Sequence, residues 1–284
     1  MSSSLEPVRW DARAAHAWVA APAAGDDKYS RGVVTVIAGS SHYPGAAVLT
    51  VEAAARTGVG MVRYIGPAEP TRLVLERRPE TVVVAGQSQA FVIGSGIDPA
   101  SVAPEQVAEI ERAATSGAPV VLDAGMLGRA SNITGPCVIT PHARECARLL
   151  ASVGIEVDDA TIARKPQEWV ERAADALVVT TLLKGAVTHI ATPADERGAR
   201  FHAVVPSNTH WMASAGTGDV LAGILGALVA THAQRILAEP DALGPIAATA
   251  ALIHATAGEK ASGGGPVVAL DVAQQIPSIV AGLL

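Results

Sequence analysis

The 284-residue chain is 49% hydrophobic, 17% charged and 3% aromatic, with 21 basic against 27 acidic side chains and a formal charge of −6. That apolar fraction excludes a disordered chain, and the length suits one large α/β domain. The acidic balance excludes a broad surface for nucleic acid or anionic membrane, so an anionic ligand must be held locally by a few cations or by backbone amides.

In chain order, VVTVIA (Val33–Ala38) reads as a buried strand, followed by an amphipathic helix over Gly45–Thr57. Strands are then expected at Met61–Ile65, Thr81–Val84 and Phe91–Ile93, a helix at Pro104–Ser116, and strands at Pro119–Leu122 and Cys137–Thr140. Helices at Ala143–Ala151 and Pro166–Ala174 precede three further strands, Leu177–Lys184, Ala186–Thr192 and Phe201–Val205. Their β-branched content without strict alternation suits strands covered on both faces. The final third, with Thr217–His232, Gly244–Ala257 and Asp271–Leu284, reads as helical. Alternating β and α units predict a mostly parallel sheet with helices on both faces. The polar breaks at Ala23–Asp27, Ala194–Gly198 and Ser262–Pro266 are too short to divide it. The expected organisation is an extension over residues 1–27 and one catalytic domain over 28–284.

Mean hydropathy is +0.31, yet the longest apolar run, Val220–Ala230, is eleven residues and too short to span a bilayer. MSSSLEPVRW lacks the basic start and apolar centre of a secretory signal, and Cys137 and Cys146 form no CxxC pair. A reduced, cytoplasmic setting is the expectation.

The most informative segment is NTHWMASAGTGDVLAGILGALVA, Asn208–Ala230. Small residues run into Asp219 and an apolar helix, an arrangement whose backbone N–H groups and dipole can hold a phosphate. Asp219 stands where a carboxylate can accept a proton from a hydroxyl held against that loop. From spacing alone, a glycine turn with Asp219 as a helix cap explains the pattern equally well.

AGTGDVLAGIL resembles the GxGD signature of the ribokinase-like superfamily. KYSRGVVTVIAGSSHYPGAAVLTVEAAARTGVGMVRYIGP (Lys28–Pro67), IGSG (Ile93–Gly96), VLDAG (Val121–Gly125), TPHARE (Thr140–Glu145) and LKGAVT (Leu183–Thr188) occur in that order. Together they are similar to the NAD(P)H-hydrate dehydratase family, also called the YjeF C-terminal or carbohydrate-kinase-like family. The resemblance implies a ribokinase-like three-layer α/β/α sandwich with a mostly parallel central sheet. It also implies the repair of hydrated NADH and NADPH (NADHX and NADPHX) at the expense of ADP or ATP, with Mg²⁺. By matching position, Asp219 would activate the ring hydroxyl while Gly216, Thr217 and Gly218 supply amides to the transferred phosphoryl group. Lys184, Gly185, Ala186, Val187, Thr188 and Gly218 would hold the adenine nucleotide. Ala46, Gly96, His142 and Asp219 would hold the hydrated nicotinamide nucleotide, with Gly45 or Tyr43 beside Ala46. Glu145 is the candidate for ordering Mg²⁺, with pairing to its helix dipole as the alternative.

The chain departs from the family pattern at Ser95, where Pro is usual, and at Asp98 and Ala215, where Gly is usual; Asp98 is expected to point away from an anionic substrate. Asp123 is expected to pack or hydrogen-bond at a strand end, His189 and His254 to be structural, and Cys146 to lie in the core. No GxSxG hydrolase elbow is present. The family further implies a homotetramer and a functional partnership with NAD(P)H-hydrate epimerase. Residues 1–27 are too short to be that epimerase, so it is expected either as a separate protein or outside these 284 residues. The alternatives are a small-molecule kinase of the same superfamily, for a hydroxymethylpyrimidine, pyridoxal or hydroxyethylthiazole substrate, and a catalytically silent nucleotide-binding protein.

Overall fold

A computed structural model describes residues 6–284; residues 1–5, the start of the predicted extension, lie outside it. The first half runs β1 (Val8–Arg9), α1 (Ala12–His16), β2 (Val33–Ile37), α2 (Pro44–Thr57), β3 (Met61–Ile65), α3 (Ala68–Arg77), β4 (Ala90–Ile93), α4 (Pro104–Thr115) and β5 (Val120–Leu122). A 3-10 segment, Ala124–Asn132, leads to β6 (Cys137–Ile139), α5 (Ala143–Ser152), α6 (Asp159–Arg164) and α7 (Pro166–Leu177). Then come β7 (Thr180–Leu183), β8 (Val187–Ala191), β9 (His202–Pro206), α8 (Thr217–Thr231), α9 (Ala233–Ala238), α10 (Leu243–Ser262) and α11 (Ala269–Leu283).

The strands form one sheet in the order β1-β9-β8-β7-β6-β5-β4-β2-β3. Every pairing is parallel except β7–β8 and β8–β9. Side chains alternate between two cores, as the strand period of two requires. Val34, Val36, Val92, Val121 and Val138 face α2, α8, α10 and α11. Ile37, Phe91, Ile93, Leu122 and Ile139 face α4 and the 3-10 segment. A third cluster, built on Cys146, Leu150, Ile162 and Trp169, joins α5, α6 and α7. The predicted mostly parallel three-layer α/β/α sandwich is the observed one.

From β2 the chain turns outward to β3, then crosses back to place β4 on the other side of β2. Loops after β2 and β4 therefore diverge at their C-terminal ends, where open α/β sheets bind ligands. Gly39 N–H donates to the Ser95 carbonyl at 2.7 Å and ties the two loops together.

Two strand expectations are corrected. Thr81–Val84 forms only a single parallel bridge, Arg63–Val82. Arg63 Nη1 takes the Val84 carbonyl at 3.0 Å and Val84 is 61% exposed, so no further ladder forms there. Leu177–Lys184 begins as the end of α7. Val178 adopts a left-handed conformation (φ 53°), reversing the chain so that β7 starts at Thr180. Within the segment set apart as an extension, β1 pairs with β9, and Trp10 and Ala15 join the main core.

Candidate active site

The site is built from four strand ends and one helix start. Gly216 takes a left-handed turn (φ 87°) that side-chain-bearing residues resist, and α8 begins at the next residue. Thr217 Oγ1 closes the loop by donating to the carbonyls of Met212 and Ser214, both at 3.0 Å. The first-turn N–H groups of α8 lack intrahelical partners, as at any helix start, and so are able to meet an anion. Ser214 Oγ is buried with no hydrogen-bond partner among the described residues.

Asp219, in that first turn, has its carboxyl pushed up to about 6. Burial is the main cause and the Asp123 carboxylate adds to it, against the Ser95 hydroxyl and the Lys184 ammonium. Asp123, following β5, is buried and accepts hydrogen bonds from Thr140 Oγ1 (2.6 Å), Ser95 Oγ (3.0 Å) and Lys184 Nζ (3.0 Å). Burial pushes Asp123 up, but the Lys184 charge and the three donors outweigh it and hold the carboxyl below its usual value. Lys184 is pushed down by burial and raised more strongly by Asp123, Glu145 and Asp219, so it stays an ammonium.

Lys184 follows β7, where its N–H donates to the Pro141 carbonyl at 2.8 Å and its backbone bridges His142. His142 caps α5 in a reciprocal box. Its N–H donates to Glu145 Oε2 at 2.8 Å, and Glu145 N–H donates to His142 Nδ1 at 3.2 Å. Burial and the positive charges of Lys184, Arg148 and Arg144 hold the His142 imidazole below its usual value, against the pull of Glu145. Glu145 Oε2 also lies 3.7 Å from Lys184 Nζ.

A cavity of about 650 Å³ opens over these groups, lined by His142, Lys184, Gly185, Thr188, Gly218 and His254 among others. Ala186 and Thr217 also line it. A second cavity, of about 740 Å³, shares His142, Lys184, Gly185 and Ala186 and lies toward Arg144 and Val187. Val187 therefore parts from Thr188, because neighbouring strand residues face opposite ways. Ala46 and Gly96 meet directly: a Cβ at Gly96 would stand 2.6 Å from that of Ala46. Gly96 adjoins Ser95, which reaches Asp123. Asp98 is exposed and accepts a hydrogen bond from the Ala100 N–H at 3.0 Å. A further cavity, of about 830 Å³, lies around Gly135, Leu177 and Thr192, at the opposite end of the parallel strands.

Three residues gain a place that sequence reasoning did not give them. Ser95 links Asp123 to the Gly96 loop. Asp123 bonds at its strand end as expected, but through Lys184. His254, read as structural, lines the cavity and contacts the Thr217 carbonyl at 2.8 Å. An Asp at the C-terminal end of a parallel strand was a usable signal. His254 had none, because its place depends on how α10 packs on α8.

Among the described residues no three His, Cys, Asp or Glu side chains cluster as a metal cage. Mg²⁺ commonly binds through one or two carboxylates while keeping waters and phosphate oxygens, so the carboxylate Glu145 fits such a role. No helix among the described residues is long and apolar enough to cross a membrane.

A mostly parallel α/β sheet with a glycine-bounded helix start beside a buried carboxyl is the arrangement expected of a ribokinase-like fold. The family model described as NAD(P)H-hydrate dehydratase matches residues 34–277, and the chain belongs to that family of enzymes. It is 40% identical over 222 residues to the bifunctional NAD(P)H-hydrate repair enzyme Nnr of Mycobacterium tuberculosis, a match covering 74% of this chain and 43% of that one. The chain thus spans less than half the length of the bifunctional relatives it matches. It is also 29% identical over 286 residues to the ADP-dependent (S)-NAD(P)H-hydrate dehydratase of Xanthomonas campestris, covering 93% and 91%. The fold matches the ADP/ATP-dependent NAD(P)H-hydrate dehydratase of Bacillus subtilis co-crystallised with ATP and Mg²⁺. There the TM-score is 0.81 at 22% identity, covering 99% of this chain and 100% of that one.

Proposed function

We propose that this chain removes water from hydrated NADH and NADPH at the expense of ADP, giving NAD(P)H, AMP and phosphate. The observation that carries this reading is the start of α8, where Thr217 and Gly218 line the cavity together with Lys184 and the next residue, Asp219, is a buried carboxyl that feels the Lys184 charge. The Xanthomonas relative, matched over 91% of its own length, supports ADP as the phosphoryl donor.

Hydroxide is a poor leaving group and phosphate a good one. Ionised Asp219 takes the proton of the ring hydroxyl as that oxygen attacks the terminal phosphorus of ADP. The bond from this phosphorus to the bridging oxygen breaks, and AMP leaves with the electron pair. Backbone N–H groups of Gly216, Thr217 and Gly218, with Lys184, meet the charge on the transferred group. The ring-nitrogen lone pair then expels phosphate, and loss of a proton from the adjacent ring carbon restores the dihydropyridine. Ala46, Gly96 and neutral His142 hold the hydrated ring, and Lys184 to Thr188 hold ADP. Glu145 is the residue that would hold Mg²⁺, which neutralises phosphate charge. The working assembly in this reading is a homotetramer, and its functional partner is an NAD(P)H-hydrate epimerase that interconverts the hydrate's stereoisomers.

The test mixes the protein with hydrated NADH, Mg²⁺ and either ADP or ATP. Return of the dihydronicotinamide near-ultraviolet absorbance with stoichiometric AMP or ADP supports the reading. No return with either nucleotide, together with phosphorylation of a pyrimidine, pyridoxal or thiazole alcohol, replaces it with the kinase. Sedimentation velocity reads the assembly.

A further inference from the structure

We infer that His254, which lines the 650 Å³ cavity and bonds the Thr217 carbonyl through Nε2, selects the nucleoside end of the co-substrate by offering Nδ1 as a fixed acceptor for an N–H or O–H of the bound nucleotide. The inference rests on the reading that a nucleoside diphosphate occupies this cavity.

Thr217 fixes the tautomer. A backbone carbonyl can only accept, so the 2.8 Å contact from His254 Nε2 to Thr217 O requires the ring proton on Nε2. A neutral imidazole carries one such proton, which leaves Nδ1 with a lone pair. Burial keeps the ring neutral, pushing it down to about 4, and the Lys184 charge acts in the same direction. Nδ1 has no hydrogen bond to protein among the described residues. Thr217 is the first residue of α8, so the bond that fixes the tautomer is made to the anion loop itself.

A lone pair cannot receive a phosphate oxygen that is also an acceptor. It therefore directs phosphates to the Gly218 and Lys184 side of the cavity and accepts a donor from the nucleoside. Two nucleoside groups qualify, the exocyclic amine of adenine and a ribose hydroxyl. Both would present the same chemistry to Nδ1.

The experiment measures Kd by isothermal titration calorimetry for ADP, inosine diphosphate, 2′-deoxy-ADP and 3′-deoxy-ADP. Each is titrated into the full chain and into His254→Phe. Loss of the one contacted donor should weaken binding to the parent about fivefold to tenfold and leave the variant's affinity unchanged. Which analogue shows the loss tells amine from hydroxyl. His254→Gln, which keeps a donor for Thr217 but moves the acceptor, should also lose the discrimination and covers the case that Phe does not fold. Nitrogen-15 ring spectra should place the proton on Nε2 and move the Nδ1 resonance when ADP is added. Equal losses for every analogue in parent and variants, or a proton on Nδ1, overturn the inference and leave the proposed reaction standing. Absence of any ADP binding to the parent overturns both.

Discussion

Asp123 and Asp219 lie close enough to feel each other's charge, yet they are perturbed in opposite directions. Both are pushed up by burial. What separates them is Lys184 at 3.0 Å from Asp123 together with the Thr140 and Ser95 hydroxyls, which hold Asp123 ionised. Asp219 then meets both the loss of water and its neighbour's negative charge, so its proton leaves near pH 6 rather than near 4. Such a carboxylate is basic enough to accept a hydroxyl proton yet ionised at neutral pH. The activity, kcat/KM, should therefore rise as pH increases through about 6 and level above it, with no matching change in ADP affinity. Asp219→Asn should lower kcat by about 10²- to 10⁴-fold while ADP Kd stays within a few fold. Equal falls in rate and affinity would make Asp219 a structural residue instead. GTGD was legible because its residues are adjacent in the chain. The partnership of Asp123, Ser95 and Lys184 was not, because three separate strand ends create it.

Among the elements, α8 carries the Gly216 turn and Asp219, and its placement depends on small residues where it crosses α2. A Cβ at Gly223 would stand 2.3 Å from the Thr50 carbonyl of α2, a backbone atom that has no rotamer to give way. Gly223→Ala should cost about 1–3 kcal/mol by overpacking, although alanine is the better helix former. Gly282, in α11, has nothing within 4 Å of its would-be Cβ, so Gly282→Ala should be neutral or stabilising by up to about 1 kcal/mol. Urea unfolding of the two variants makes the comparison; an equal response would show that the α8–α2 crossing yields. The sequence placed α8 almost to the residue because its apolar run is long. It misjudged Thr81–Val84, where β-branched residues look like a strand but make one bridge and leave Val83 and Val84 exposed. It also missed the turn at Val178, since a β-branched residue is poorly suited to a positive φ.

For the whole molecule, the same weakness of local pattern hid the N-terminal strand. Two residues, Val8 and Arg9, are too few to show periodicity, and only their pairing with β9 makes them part of the sheet. Trp10 fixes that pairing. It is 8% exposed, its ring meets Phe201 edge-on at 5.4 Å, and its Nε1 donates to Thr249 Oγ1 of α10 at 3.1 Å. A few residues on, His16 Nδ1 contacts the Leu283 carbonyl at 2.7 Å, so α1 closes against the end of α11. Trp10→Ala should therefore destabilise the entire fold by about 3–5 kcal/mol, as large-to-small changes of buried aromatics do. Trp10→Phe keeps the ring contact and loses one hydrogen bond, and should cost nearer 1 kcal/mol. Circular dichroism during urea unfolding separates two arrangements. If residues 6–27 belong to the cooperative unit, Trp10→Ala shifts the single transition to lower urea with its slope unchanged. If they are an appendage, the main transition stays where it was and only a small early change appears.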